Sequence, residues 1–438
     1  MFNHLRRFPR ARAGNAVLIF ALVMPVLLMA IGGAIDFGRA VQLRVAMQDA
    51  ADVASLGAVA INSAAYKVAL QMGDGEITAG TQQAHDIYVS DMISAPELST
   101  PIITTQVSKS GTVLTSNVSV SANYKPYLLQ LFGFATLPLS VTSKSSSTIP
   151  PYIDFYLLLD NSPSMGLGAT TADINKLVSA TSKMSSDANC AFACHLSGST
   201  TDYYSLARKV GVTMRIDVVR EATQNLMTTA KNTQTLNGQY RMAIYDFGVA
   251  ADKISQTAPP AYQVSALTSN LTQSASDAGT IDLMTIPAQN YNSDRQSNFS
   301  SVLASMNTAI PTPGNGTSAT NPQKVLFMVS DGLNDGYDCA YGSCRRITPL
   351  DISQCTAMKA RGVRIAVLYT TYLLLDKGQN SFFDGNVRKY VTPTDQIATN
   401  MQACASPGLY FAVGPDEGIS EAMTALFNKV VQVVRINS

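Results

Sequence analysis

Hydrophobic and polar positions along the chain follow three successive patterns. Residues 16–35, AVLIFALVMPVLLMAIGGAI, carry no charge. At about 1.5 Å of rise per helical residue, that run crosses a hydrocarbon core of about 30 Å. Pro25 lies inside it, and a proline kink is tolerated in a membrane helix. Residues 37–70 contain no proline and are rich in Ala, Val and Leu, with Gln42, Asp49, Asp52 and Ser55 recurring at helical spacing. This predicts a long amphipathic helix, either a stalk continuing the first run or a core helix of the next domain.

Beyond residue 100 the period shortens. Ile102, Ile103, Val107, Val113, Val118 and Val120 sit among Thr and Ser on either side of a Ser108–Gly111 turn, which predicts a hairpin. A short apolar segment at 127–134 and a further strand at 137–142 complete a small α+β unit. Residues 144–151, KSSSTIPP, read as a proline-ended linker and a domain boundary. From 152 onward strands and helices alternate. The expected strands are 153–159, 240–247, 324–329, 363–369 and 409–413, and the expected helices are 172–184, 206–230, 300–309, 352–361 and 418–434. Such alternation predicts a doubly wound, mostly parallel α/β sheet. Polar stretches at 185–204 and 311–322 read as surface insertions. The resulting division is a basic segment 1–15, a transmembrane helix 16–35, a helical stalk plus small α+β domain 36–148, and a large α/β domain 152–438.

Charge orients this arrangement. Arg6, Arg7, Arg10 and Arg12 precede the apolar run without an acid among them, which puts the amino terminus in the cytoplasm and the rest outside it. A cleaved signal would have a shorter apolar region and a small-residue cleavage site. Here Asp36-Phe37-Gly38-Arg39 follows in helical continuity, so an uncleaved single-pass anchor is expected. The six cysteines, Cys190, Cys194, Cys339, Cys344, Cys355 and Cys404, all lie in the last domain, as suits disulfides in an oxidising compartment. Cys339 and Cys344 are near enough in sequence to pair, and Cys355 and Cys404 could then close the far end of the sheet, although sequence does not fix the connectivity. Cys190, Cys194 and His195 resemble half a zinc site, but no second pair at ligand spacing follows. The formal net charge of +1 gives no reason to expect nucleic acid. With only three scattered histidines, His4, His85 and His195, histidine-based catalysis is poorly supplied.

The candidate chemistry lies at strand ends. The run 153–159 leads into Asp160, with Ser162 and Ser164 at alternating positions after it. A carboxylate and two hydroxyls are hard oxygen donors of the kind Mg²⁺ or Mn²⁺ prefers, and the carboxyl ends of strands are where open α/β sheets place ligands. Asp-Asn-Ser-Pro-Ser is equally good turn and cap chemistry. A second apolar strand, KVLFMVS, ends the same way in Asp331-Gly332, and two such ends favour the metal reading. Asp335 and Asp338 follow nearby and could extend the site or bind calcium, but read better as a solvated loop.

Asp160-x-Ser162-x-Ser164 with Ser330-Asp331-Gly332 resembles the metal-ion-dependent adhesion site of von Willebrand factor type A domains. The resemblance implies that Ser162 and Ser164 bind Mg²⁺ or Mn²⁺ directly, that Asp160 and Asp331 act largely through water, and that a middle-loop hydroxyl completes the set. The family's threonine is absent. Ser297 takes its place by spacing to Leu303, with Asn298 the alternative. A position left open on the metal would accept a carboxylate from a protein partner, so binding rather than enzymatic activity is expected. At the other end, Gly14-Asn15-Ala16, Ile35-Asp36-Phe37-Gly38-Arg39 and Gln48-Asp49-Ala50-Ala51-Asp52 resemble the TadE/TadG family of bacterial tight-adherence (Flp) pilus assembly proteins. The two resemblances together imply a pilus assembly component held in the inner membrane by one helix, its bulk periplasmic. The alternative is a surface adhesin using the same site on an external ligand.

Overall fold

The computed structural model describes residues 13–92, 95–184, 188–248, 260–288, 297–337, 345–372, 374, 377, 382–414 and 417–436. The basic segment with Arg6, Arg7, Arg10 and Arg12, together with Asp338, Cys339 and Cys344, lies outside these residues. The chain forms two compact units, 1–149 and 150–438.

In the first unit a single helix, α1 (Ala13–Val59), carries both apolar patterns. It is long and apolar enough in its first part to cross a membrane. Side chains there, Val17 to Met29 among them, are exposed, whereas Ala40, Leu43, Met47, Ala50, Ala54 and Ala58 are buried on one face. That spacing of three and four residues lays the second half of α1 on a sheet. Two helices follow, α2 (Ala64–Ala69) and α3 (Thr78–Asp91), with strand β1 (Gly75–Glu76) between them. Strands β2 (Ile102–Ser110), β3 (Val113–Tyr124) and β4 (Leu137–Thr148) complete a four-stranded antiparallel sheet in sequence order. The β2–β3 turn is tighter than expected, because Ser110 already pairs with Val113 and Gly111 adopts φ +61°. Ser55 leaves the expected polar stripe. It is fully buried, and its hydroxyl bonds those of Ser143 (2.8 Å) and Ser145 (2.7 Å) on β4. The expected linker at 144–151 is also corrected. Its first residues extend β4 to Thr148, since the Ser-rich run alternates as a strand should and pairs with β3 throughout.

The second unit has the doubly wound sheet expected of a von Willebrand factor A-like domain. Its strands are β5 (Ile153–Asp160), β6 (Tyr240–Phe247), β7 (Tyr262–Thr268), β8 (Gln323–Ser330), β11 (Arg364–Thr370) and β12 (Tyr410–Val413). They are ordered β12-β11-β8-β5-β6-β7, parallel except for β7 at one edge. A separate hairpin, β9 (Leu333–Tyr337) with β10 (Arg345–Pro349), leaves the end of β8. Every residue of β5 is buried because both faces are covered. On one side Phe155, Leu157 and Leu159 pack with α4 (Thr171–Thr181), α5 (Tyr203–Lys209), α6 (Arg215–Thr233), α7 (Leu271–Ala278) and α12 (Ile419–Ile436). On the other, Tyr156 and Leu158 pack with α8 (Phe299–Ala309), α9 (Ser353–Ala360), α10 (Arg388–Val391) and α11 (Gln396–Cys404). The helix expected over 206–230 is two helices, broken where Gly211 adopts φ +67°. Cys355 of α9 and Cys404 of α11 form a disulfide.

At the amino end of β5, Asp154 ties three strands together. It accepts from Arg241 of β6 at 2.7 and 2.8 Å and from Lys324 of β8 at 2.5 Å, and both Asp154 and Lys324 are buried. Removing one partner of a buried pair leaves the other charge uncompensated. Asp154→Ala is therefore expected to destabilise the second unit by roughly 3–5 kcal/mol, measured by denaturant unfolding. Asp154→Ala with Lys324→Met should recover part of that loss.

Candidate metal centre

Strands β5 and β8 are parallel neighbours in a register that sets Leu159 beside Val329. Asp160 and Ser330 then meet at the same edge, and Ser330 Oγ donates to Asp160 Oδ2 at 2.5 Å. The other oxygen, Oδ1, accepts from the Ser162 amide at 2.9 Å. Ser162 stands at the cap position of a short 3-10 turn, Pro163–Gly166, yet its side chain makes no capping bond. Its hydroxyl instead lies 3.0 Å from that of Ser164. The turn chemistry of Asp-Asn-Ser-Pro-Ser is thus real, but it leaves both hydroxyls at the strand end.

Asp331 follows Ser330 and is buried with Asp160. Gly332 takes φ +71° there, and a Cβ on it would come 2.6 Å from Met401 Cγ, so the sharp exit of β8 needs glycine. Asp331 Oδ1 accepts from the Leu333 amide at 3.2 Å, while Oδ2 is buried without a hydrogen-bond partner. Burial pushes the Asp160 carboxyl up to about 7, and the Asp331 charge beside it acts in the same direction. Burial also raises Asp331, against the Ser164 and Tyr372 hydroxyls and the Arg215 guanidinium, which favour its charged form. Arg215, the first residue of α6, is 2% exposed and donates to the Thr371 carbonyl at 2.8 Å beyond the end of β11. Asp246, near the end of β6, is a third carboxylate pushed up to about 7 by burial. The Asn161 amide nitrogen lies 3.4 Å from it.

Of the residues selected from sequence, the structure brings Asp160, Ser162, Ser164 and Asp331 together. Ser297 is buried just before α8, but its hydroxyl donates to the Leu333 carbonyl at 2.9 Å and accepts from the Asp335 amide at 3.1 Å. Asn298 caps α8, its side chain accepting from the Ser301 amide at 3.2 Å. Asp335 is not in a solvated loop. It is a buried residue of β9 held by Arg345, with Nε donating to Oδ1 at 2.8 Å. His195 stacks on Tyr204 at 4.1 Å, and its Nδ1 lies 3.1 Å from the Leu283 carbonyl. Among the described residues no three His, Cys, Asp or Glu side chains are grouped for a metal.

Sequence reading passed over Asp246, Arg215 and Tyr372. Asp246 lies one residue before the end of β6, a strand that carries Arg241 and is less uniformly apolar than β5, so its signal was weaker. Arg215 arrives on the first turn of α6 and Tyr372 on the chain leaving β11, and neither carries a local signal.

The donor set fits a hard divalent cation. It comprises two hydroxyls and two buried carboxyl groups, one of which has an oxygen with no donor.

Residues 14–61 match the Tad family, described as Flp pilus-assembly TadE/G-like. No curated protein matches the chain in sequence. Among solved structures, the pilus adhesin SpaC from Lactobacillus rhamnosus GG is similar at 12% identity and TM-score 0.38, over 79% of this chain and 35% of that one. The vWF domain of the type V pili tip protein Mfa5 from Porphyromonas gingivalis is similar at 9% identity and TM-score 0.34, over 66% of this chain and 97% of that one. Proximal thread matrix protein 1 from the mussel byssus, in a structure described as having a zinc-occupied MIDAS motif, is similar at 10% identity and TM-score 0.33, over 65% and 46%. The chain thus spans about a third of SpaC, and likenesses at these scores carry no inference about its function.

The raised carboxyls set a pH dependence. A folded pKa of about 7 for Asp160 and Asp246, against an unfolded value of 3.8, means the native state binds more protons between those limits. Without divalent cations, the contribution of these two carboxyls to stability is full below the unfolded value and is lost as pH rises through about 7. Melting in EDTA is expected to be higher at pH 5 than at pH 8 in the wild type. Asp160→Asn should flatten the profile and raise the pH 8 value.

Proposed function

We propose that this chain is a membrane-anchored, extracytoplasmic component of tight-adherence (Flp) pilus assembly that grips a protein partner through a metal-ion-dependent adhesion site. The observation that carries the reading is the convergence of Asp160, Ser162, Ser164 and Asp331 at one edge of the sheet, in a chain whose first segment matches the pilus-assembly family. The apolar part of α1 is the anchor in the inner membrane. The arginines before it keep the amino terminus cytoplasmic and the bulk of the chain periplasmic.

In this reading Ser162 and Ser164 hold Mg²⁺ or Mn²⁺ directly, and Asp160 and Asp331 hold it largely through water. Bound there, the cation neutralises the buried carboxylate pair and offers a position to a carboxylate of the partner. Ser330 and the Ser162 amide fix the rotamer of Asp160, and the Leu333 amide does the same for Asp331. Ser297 is the candidate fifth residue. Its hydroxyl must exchange at least one of its two main-chain bonds to join, which makes it the weakest contributor. The partner is a protein, and the reading is one of binding rather than catalysis.

Mg²⁺ or Mn²⁺ at about 100 times its dissociation constant is expected to stabilise the second unit by about 2.7 kcal/mol, read as a rise in melting temperature. Asp160→Ala and Ser164→Ala should abolish the rise and Ser297→Ala should only reduce it. Capture of membrane proteins by the full chain should need Mg²⁺ and be lost in Asp160→Ala. Unchanged melting with and without metal would sink the metal site. Fractionation showing the unprocessed chain at the cell surface would replace the assembly role by that of an adhesin.

A further inference from the structure

The apolar half of α1 meets a second apolar element where it ends. A Cβ built on Gly32 would come 2.8 Å from Leu128 Cβ, and one on Gly33 would come 3.6 Å from Leu129 Cδ2. Glycine at these positions lets the segment before β4 lie directly against the helix. One turn on, Asp36 is fully buried and gathers four donors. These are the amides of Tyr127 (2.9 Å), Leu128 (2.8 Å) and Leu129 (2.7 Å) and the hydroxyl of Tyr124 (3.2 Å). The three amides belong to the amino end of a 3-10 turn, Leu129–Phe132, where no carbonyl of the turn can reach them. A carboxylate satisfies them with charge-assisted bonds. Arg39, a turn further along α1, donates from Nε to Glu97 Oε1 at 2.7 Å, and the Glu97 carbonyl accepts from the Lys125 amide at 2.8 Å. The segment is therefore fastened to α1 from residue 32 to residue 39.

What is fastened is apolar and faces outward. Leu131 is 80% exposed, Tyr127 67% and Phe134 47%. Side chains of α1 from Val17 to Ile35 are exposed in the same way. Leu128 touches Gly32, which lies about 5 Å before the last residue of the uncharged run by the helical rise. The two apolar surfaces are therefore continuous, and they end at one level along α1. Lys125, at the head of the segment, is exposed.

We propose that residues 127–134 form a second membrane contact, latched by Asp36, which sets Tyr127, Leu131 and Phe134 into the interfacial layer of the bilayer that α1 crosses. The inference rests on reading α1 as a membrane anchor. Lipid is the occupant because the patch continues the anchor's own lipid-facing surface. A Tyr at the boundary with a Lys beside it is also the composition of membrane interfaces. Such a contact fixes the depth of the helix exit, which a lone apolar helix leaves to tilt and sliding.

The chain contains no tryptophan, so one introduced indole reports its own surroundings. Full-length Leu131→Trp and Ile61→Trp chains are placed in phosphatidylcholine–phosphatidylglycerol vesicles with or without brominated acyl chains. Ile61 is 73% exposed just past the end of α1, roughly 35 Å along the axis from Asp36 by the helical rise. Blue-shifted emission from residue 131, quenched by bromine at least threefold more than from residue 61, is expected. Asp36→Asn, which keeps the shape and removes the charge, should halve that quenching. Resistance to carbonate extraction reads the anchor separately. A chain that carbonate strips from the vesicles overturns the anchor. A resistant chain with unshifted emission from residue 131 overturns the second contact, and so does emission that is shifted but not quenched, since the occupant is then protein. Quenching unchanged by Asp36→Asn overturns the latch.

Discussion

Two carboxylates lie buried side by side because two parallel strands of one sheet end at the same edge. Nothing in the local sequence of either strand requires the pair; the β5–β8 register does. Burial alone would neutralise both, and it moves Asp160 most of the way there. Burial raises Asp331 as well, and it is opposed first by Ser164 beyond β5 and then by groups from elsewhere. Arg215 is carried in on the first turn of α6, and Tyr372 arrives on the chain leaving β11. The sheet order, with β11 next to β8 and β8 next to β5, is the arrangement that lets these groups converge.

The opposite end of the same strands shows what a purely structural charge needs. Asp154 has two cations at bonding distance, one from each neighbouring strand. The strands are thus clamped at their amino ends by a compensated charge and carry an uncompensated pair at their carboxyl ends. In the proposed function a divalent cation would supply the missing positive charge at the second place, where the protein provides hydroxyls and a partnerless carboxylate oxygen in place of a lysine.

Much of this was legible in the sequence. Continuous apolar runs that end in Asp marked β5 and β8, because a strand buried on both faces cannot alternate. The fold class followed from the alternation of strands with helices. The misses have physical reasons. The Ser-rich end of β4 reads as linker by composition, although it continues the alternation that Leu139 and Val141 begin as core residues of the same strand. The edge strand β7 is antiparallel, short and half-exposed, so it lacks the buried run that reveals its neighbours. The break between α5 and α6 depends on one glycine inside a helical pattern. At the site, spacing selected Ser297, which lies just before the Asn298 cap of α8. Spacing carries no information on which atom a hydroxyl bonds, and the main chain of β9 holds it.

Four buried acids among the described residues, Asp36, Asp154, Asp160 and Asp331, separate into two kinds by the donors they find. Asp36 has four hydrogen bonds, three of them from amides that have no other acceptor, and Asp154 has two cations. Each is complete without help, so each acts on its own unit, fixing a loop to a helix or three strands to one another. Asp160 and Asp331 share a handful of hydroxyls and amides, repel each other, and leave an oxygen without a donor. A group that folding leaves under-satisfied keeps free energy available for a ligand, because the desolvation cost has already been met before the ligand arrives. Satisfaction, more than burial or the identity of the residue, is what distinguishes the acids that build this protein from those proposed to bind.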